Sequence, residues 1–414
     1  MYRIVANENA SACYFKPLVT GIEGSISWEA FRLLDSQAPR TDEEILFLDN
    51  CKTIGWTDGS GRLQGRPRIV REDVHLTKLQ IEITNQCNLK CLYCFNESDP
   101  QSDVSLSFRQ LDSLLRQADE LGVITIDFSG GEFFFHPQWR ELLRVTQELG
   151  LQVSIHTNGT PLTAKNVEYL TRFPIGLIQV SLDSHLSDVH DQARGQPGSW
   201  ARTISGLRRA MDAGFRVSCV LMVHRLNTGH IAESINWFQS EFGFTPFLDR
   251  LAPSGREKEE QLALSPSDFY QVVAQHLTSE AMVRRVCETP AKPNERIEPH
   301  CGVAHSLVYV TAYGELCLCP TMTSREEYRF AGPNVRDTNL RDAWYNHPLF
   351  TGSRGLNCRN TSFCKAGSTC RGGCRSNAYF DSGELDSPDF VSCNIHKNGG
   401  PMFVDFRQQY AQFK

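Results

Sequence analysis

From residue 78 to about 252 the sequence alternates short apolar runs with longer amphipathic ones, and nothing else in it constrains the fold as tightly. Strand candidates are Leu79–Thr84, Val123–Phe128, Gln152–His156, Leu177–Leu182, Arg216–Val223 and Pro246–Leu251. Helical patterns lie between them at Ser107–Leu121, Pro137–Leu149, Ala164–Arg172, Trp200–Ala213 and His230–Glu241. Strands joined by helices run parallel, because each crossover returns the chain to the same end of the sheet. Pro137 suits a first helical turn, and Ala213-Gly214 reads as a helix stop. Six βα units fall short of the eight of a closed barrel, so the pattern predicts an α/β fold, an open, partial (β/α)6 TIM-like barrel.

The flanks read differently. Residues 1–76 hold two short helical patterns (about Ser27–Leu34 and Asp42–Asn50) and a glycine-rich, hairpin-like stretch, Trp56–Arg66. This suits a small winged-helix-like N-terminal module. Residues 77–255 make the barrel. After that the alternation stops: a polar linker (Arg256–Gln261) leads to one helix, Pro266–Cys287, and then to a loop-rich region ending at 414. The opening MYRIVANENA is polar, and no apolar run approaches the ~18 residues of a membrane span. A net charge of −6 offers no attraction to nucleic acid or to an anionic membrane. The expected compartment is the cytoplasm, with neither membrane nor nucleic acid as partner.

Fifteen cysteines are unusual for such a chain. In a reducing compartment, clustered cysteines read as metal ligands or redox groups rather than disulfides. Cys87, Cys91 and Cys94 form one knot. Cys301, Cys317, Cys319, Cys358, Cys364, Cys370, Cys374 and Cys393 form another. Cys13, Cys51, Cys219 and Cys287 stand apart and read as small buried hydrophobes.

The first knot follows the first barrel strand, at the end where barrel enzymes place their sites. Three cysteines at x3 and x2 spacing can bind three irons of a cubane and leave the fourth iron open, since such clusters ordinarily take four thiolates. A zinc loop or a ferredoxin-like cluster would show the same triplet. Cys87-x3-Cys91-x-Tyr93-Cys94 resembles the signature of the radical S-adenosylmethionine (SAM) superfamily. The resemblance implies a [4Fe–4S] cluster whose open iron chelates SAM, and reductive cleavage of SAM to a 5′-deoxyadenosyl radical. Ser129-Gly130-Gly131-Glu132, ending the second strand, resembles the family's GGE motif, which binds the SAM amino group; Phe133 stands where proline is frequent. Asn158 after strand three, and Ser181 and Asp183 after strand four, resemble positions near the SAM ribose. Arg194, in His190-Asp191-Gln-Ala-Arg194-Gly195, resembles an arginine that pairs with the SAM carboxylate. The alternative for these positions is turn residues after buried strands.

The second knot resembles a SPASM domain. Cys301-x12-Gly314-x4-Cys319, then Cys364-x5-Cys370-x3-Cys374, then Cys393 follow its order; five residues rather than two separate Cys358 from Cys364, with Thr361 in the usual cysteine place. The resemblance implies one or two auxiliary [4Fe–4S] clusters, one using Cys301, Cys319 and Cys374, the other Cys358, Cys364, Cys370 and Cys393. The first lacks an evident fourth cysteine, Cys317 being nearest. Two four-cysteine zinc sites would fit the same residues.

By that resemblance the chain is expected to be an enzyme, a radical SAM/SPASM maturase. It would oxidatively modify a ribosomally made precursor peptide, by C–C or thioether crosslinking, with flavodoxin or ferredoxin as electron donor. A leader peptide could add a strand to the N-terminal module. The runner-up is a sulfatase-maturating or small-molecule dehydrogenase; from another class, a non-catalytic iron–sulfur or zinc protein. No residue is assigned as substrate-side acid or base, with Asp127, His224 and Asp249 left open.

Overall fold

The computed structural model describes residues 1–19, 21–257, 261–274, 301–329, 331–361, 364, 370 and 372–397. Cys287 and the second half of the helix expected at 266–287 lie outside the described residues.

The barrel strands are β5 (Lys78–Glu82), β6 (Thr125–Ser129), β7 (Gln152–Thr157), β8 (Ile175–Ser181), β9 (Val217–Val223) and β10 (Phe247–Arg250). They pair in parallel and in chain order. Period-two patterning gives each strand its two faces. On β5, Leu79 and Ile81 join the main core under the helices, which leaves Lys78, Gln80 and Glu82 on the inner face. The covering helices are α3 (Phe108–Glu120), α4 (Trp139–Leu149), α5 (Ala164–Leu170), α6 (Ser187–Arg194), α7 (Ser199–Asp212) and α8 (Ile231–Phe242). α3 starts where Ser107 and Gln110 close a capping box. Its buried Leu111, Leu114 and Leu115 each contribute about 1.5–3 kcal/mol of apolar burial.

Two strands of the barrel sheet were not foreseen. β11 (Leu307–Val310) runs parallel to β5, and β12 (Leu316–Cys317) runs antiparallel to β11. The sheet therefore has eight strands in the order β10-β9-β8-β7-β6-β5-β11-β12. It stays open between β10 and β12. The boundary expected near residue 255 is thus no boundary of the sheet. Val308, Val310, Leu316, Trp344 and Phe350 belong to the barrel's own core, and Trp344 Nε1 donates to the Val74 carbonyl at 3.0 Å. This part of the chain has more shared apolar core than its loop-rich sequence suggests.

The N-terminal module has a four-stranded sheet, β3-β2-β1-β4, made from β1 (Tyr2–Asn7), β2 (Ala12–Pro17), β3 (Gly24–Ser27) and β4 (Pro67–Val70). Helices α1 (Trp28–Ser36) and α2 (Asp42–Thr53) cover it around a separate core centred on Phe15, Phe31, Leu34 and Trp56. Arg3 reaches the barrel, donating to Asp119 Oδ1 at 2.6 Å. Among the described residues, β3 pairs on one side only.

Candidate active site

The loop after β5 carries Cys87, Cys91 and Cys94, and its backbone is held by three separate segments. Gly131 N donates to Thr84 O at 2.7 Å, and Glu132 N to Gln86 O at 2.9 Å. Leu92 N donates to Ala193 O at 2.9 Å. Arg256 donates to Cys91 O at 2.5 Å and to Ser98 O at 3.0 Å, while its amide donates to Cys94 O at 3.1 Å. Two glycines make the first approach possible. A Cβ on Gly130 would stand 2.4 Å from Thr84 O, and one on Gly131 2.4 Å from Gln86 O. Gly130 also holds φ of 141°, a region side chains disfavour. In the described structure these glycines bring their loop against the cysteine loop's own backbone.

The polar side chains converge on the same loop. Glu132 is buried and accepts from Thr157 Oγ1 and from the Asn158 amide, each at 2.8 Å. Burial outweighs those bonds and pushes its carboxyl up to about 7. Asn158 Nδ2 donates to Asn88 Oδ1 at 2.9 Å and lies 3.9 Å from Cys87 Sγ. Arg194 donates to Asp183 Oδ1 at 2.8 Å and stands 3.9 Å from Cys91 Sγ. Burial opposes the Arg194 cation, but Asp183, Tyr93 and Cys91 outweigh it and raise it well above its ordinary value. Tyr93 OH donates to Asp183 Oδ2 at 2.5 Å, and its ring lies 5.4 Å from that of His224. Ser129 ends β6, with Oγ donating to Ile81 O at 3.4 Å, and Ser181 ends β8. All nine sequence-selected polar positions thus gather on the C-terminal rim of the barrel.

The donor set fits an iron–sulfur cluster with a polar ligand beside it. Burial raises the Cys87 thiol first, then the charges of Cys91 and Glu132, with that of Cys94 behind them. Burial also pushes Cys94 up to about 11. Thiols crowded in this way release protons when they bind metal. Arg194 Nε and both ring nitrogens of buried His224 have no hydrogen-bond partner in the described structure, so polar capacity remains next to the loop. Sequence reasoning missed Arg256. It lies in the stretch read as a polar linker, and only its long-range bonds reveal its place.

The C-terminal cysteines fall into two groups. The Cys374 thiol is raised by burial, then by Asp389, Cys319 and Cys301. Cys370 is pushed up to about 12 by burial, then by Cys393, Asp389 and Cys358. Cys364 is exposed, with the residues on both sides of it outside the described residues. Cys317 is buried in β12 opposite Tyr309, its Sγ 3.9 Å from Glu315 O. Of the three groups left open, Asp127 pairs with Lys78 at 2.5 Å on the inner barrel face, and His224 packs on Tyr93. Burial pushes Asp249, on β10, up to about 6.

Comparison with known proteins agrees with this geometry. The profile of the Radical SAM superfamily matches residues 81–238. The mycofactocin maturase MftC of Mycobacterium ulcerans (strain Agy99) is 25% identical over 338 residues, covering 78% of this chain and 90% of that protein. The PqqA peptide cyclase of Gluconobacter oxydans (strain 621H) is 28% identical over 337 residues, covering 77% and 90%. Among solved structures, Streptococcus suis SuiB bound to its precursor peptide SuiA superposes with a TM-score of 0.68 at 15% identity, over 95% of this chain and 98% of that one. The cysteine loop at the end of β5, the buried glutamate at the end of β6 and these likenesses lead to one assignment: residues 81–238 are a radical SAM domain, which implies SAM and a [4Fe–4S] cluster as cofactors.

Proposed function

We propose that this enzyme matures a ribosomally made precursor peptide, installing a C–C or thioether crosslink. The observation that carries this reading is likeness to two peptide-modifying enzymes across 90% of the length of each. With cofactors bound, the chemistry supplied is reductive cleavage of SAM to a 5′-deoxyadenosyl radical, which removes a hydrogen atom from substrate. Cys87, Cys91 and Cys94 hold the cluster. Glu132 receives the SAM ammonium: its buried carboxylate is held by the Thr157 hydroxyl and the Asn158 amide and pairs with no cation among the described residues. Arg194 meets the SAM carboxylate and is oriented for it by Asp183. Tyr93, Ser129, Gly130, Gly131, Asn158, Ser181 and Asp183 shape the rest of the pocket.

Residues 301–397 hold one or two auxiliary clusters, through Cys301, Cys319 and Cys374 and through Cys358, Cys364, Cys370 and Cys393. These accept the electron released when the crosslinked product radical is oxidised. The N-terminal module presents the unpaired edge of β3 to an extended leader peptide, beside exposed Val19 and Ile22. Among the described residues no helix is long and apolar enough to cross a membrane, and a cytoplasmic flavodoxin or ferredoxin serves as reductant. The test is anaerobic reconstitution, iron and sulfide quantitation, and a 5′-deoxyadenosine assay with SAM and dithionite, followed by co-expression with short peptides encoded beside the gene. About eight to twelve irons per chain, SAM cleavage and a mass loss of hydrogen from one peptide are expected. Bound zinc without SAM cleavage would sink the reading.

A further inference from the structure

Of the six residues of β7, only His156 is not buried. Val153 and Ile155 pack in the core under the helices, so Ser154 and His156 point the other way, into the barrel. The next two residues, Thr157 and Asn158, hold Glu132. β7 therefore carries the His156 imidazole directly below the rim assigned to SAM.

The groups around it on that face are fixed. Asp127 on β6 is buried and forms an ion pair with Lys78 on β5 at 2.5 Å. His156 Nε2 stands 3.8 Å from the same Asp127 oxygen. That is too long for a hydrogen bond but close enough for the carboxylate to favour a proton on Nε2. Nδ1 is then the basic nitrogen, and it has no hydrogen-bond partner among the described residues. Burial holds the imidazole below its ordinary value, against the pull of Asp127 and with the push of Lys78. The ring is uncharged at about pH 7 and able to take a proton. Its neighbours on the other side are uncharged as well. His156 is in register with Gln179 on β8, and Gln179 with Ser218 on β9, whose Oγ has no hydrogen-bond partner in the described structure. Asp127 already has its counterion in Lys78, so charge balance does not call for the imidazole. The His156 side chain stays 30% exposed beside a carboxylate that is 3% exposed. An accessible imidazole held against a buried carboxylate is the arrangement of a general base.

We propose that His156 is the substrate-side base, taking the proton that crosslinking releases. This rests on the peptide-crosslinking reading, in which the peptide loses two hydrogens. One leaves as an atom to the 5′-deoxyadenosyl radical, and the carbon left behind bonds to the second side chain. One electron then passes to an iron–sulfur cluster of the C-terminal region. The other hydrogen leaves as a proton to His156 Nδ1, from carbon where a C–C bond forms and from the thiol where a thioether forms. Asp127 is a positioning residue that stabilises the imidazolium so formed. Gln179 and Ser218 offer hydrogen bonds to an uncharged peptide group beside it.

The full-length reconstituted enzyme is incubated with SAM, dithionite and the short peptide encoded beside its gene, prepared with deuterium on carbon. Deuterium in 5′-deoxyadenosine reads hydrogen-atom removal, and loss of peptide mass reads crosslinking. His156→Ala and His156→Gln should keep deuterium transfer within about twofold and lose crosslinking by about a hundredfold or more. Added imidazole should restore part of the crosslinking in His156→Ala. Crosslinking at the parent rate in His156→Gln overturns the proposal. So does a parallel loss of deuterium transfer and crosslinking in both variants that imidazole does not restore, since His156 would then only seat the peptide. A parent enzyme that transfers no deuterium and leaves the peptide mass unchanged overturns the crosslinking reading and the base with it, whereas a competent parent with an indifferent His156 removes the base alone.

Discussion

The two sets of cysteines are held in opposite ways. The Cys87–Cys94 loop is bonded along its backbone by Gly131 and Glu132, by Ala193 and by Arg256, elements that come from three places in the sequence. Cys358, Cys370 and Cys393 sit on turns and a short helix, where the backbone bonds at these residues are local: Thr361 N to Cys358 O at 3.0 Å, Gly373 N to Cys370 O at 3.0 Å and Cys393 N to Asp389 O at 2.9 Å. The first site is shaped by the fold before any metal arrives. On the proposed reading the second is completed by its metal, so binding and folding are coupled there. A pre-organised site suits the cofactor that must be bound in one orientation; a metal-shaped one suffices for clusters that only pass electrons.

Substitution of one cysteine in each set breaks this comparison most sharply. Cys91→Ala should abolish 5′-deoxyadenosine formation while leaving the melting temperature of the metal-free chain within about 2 °C. Cys370→Ala should lower iron content and product yield yet spare SAM cleavage; unchanged iron would remove Cys370 from the ligands. Next in size is Gly131→Ala. Its new Cβ would stand 2.4 Å from Gln86 O, so the loop must shift, at about 1–3 kcal/mol, and SAM cleavage should fall far more than global stability. Thermal melts set beside the 5′-deoxyadenosine rate check it, and equal losses in both would mean that the loop is not specially shaped.

Chelation tests the other half. Iron removal should open residues 351–397 to limited proteolysis before the barrel strands, and equal protection of both would refute a metal-shaped second site. The smallest effect concerns Glu132. Its folded value, about 7, lies above the ordinary 4.5, so the group favours the cofactor-free fold at low pH, and that contribution is lost as pH rises through 7. SAM binding needs the ionised form, so at pH 6 binding should release most of a proton and at pH 8 little. Calorimetry in two buffers of different ionisation enthalpy measures this, and Glu132→Gln should remove the pH dependence.

The barrel was legible because its signals are local. Leu79, Ile81 and the rest alternate within single strands, and the Cys87 and Glu132 motifs sit on the turns that end them. β1 and β2 were missed: Tyr2–Asn7 is buried throughout, yet Arg3 and Asn7 give it a polar look, because their partners Asp119 and the Glu72 carbonyl lie far along the chain. β11 escaped for the same reason, since its partner β5 lies more than two hundred residues earlier. Arg256 is ordinary in sequence and becomes distinctive only beside Cys91. Pattern within an element can be read from sequence, whereas contact between distant elements has to be seen.

β11 has one more consequence. It covers the edge of β5, the strand that delivers the cysteine loop, with four residue pairs from Leu307↔Lys78 to Val310↔Ile81. A chain cut after residue 255 would keep every SAM-site motif but expose that flank of β5 as a row of unpaired amides and carbonyls. Bare edges of this kind recruit other chains. The segment that looks in sequence like a free-standing catalytic domain should therefore aggregate when produced alone, and the smallest soluble version of this enzyme must extend at least through Cys317.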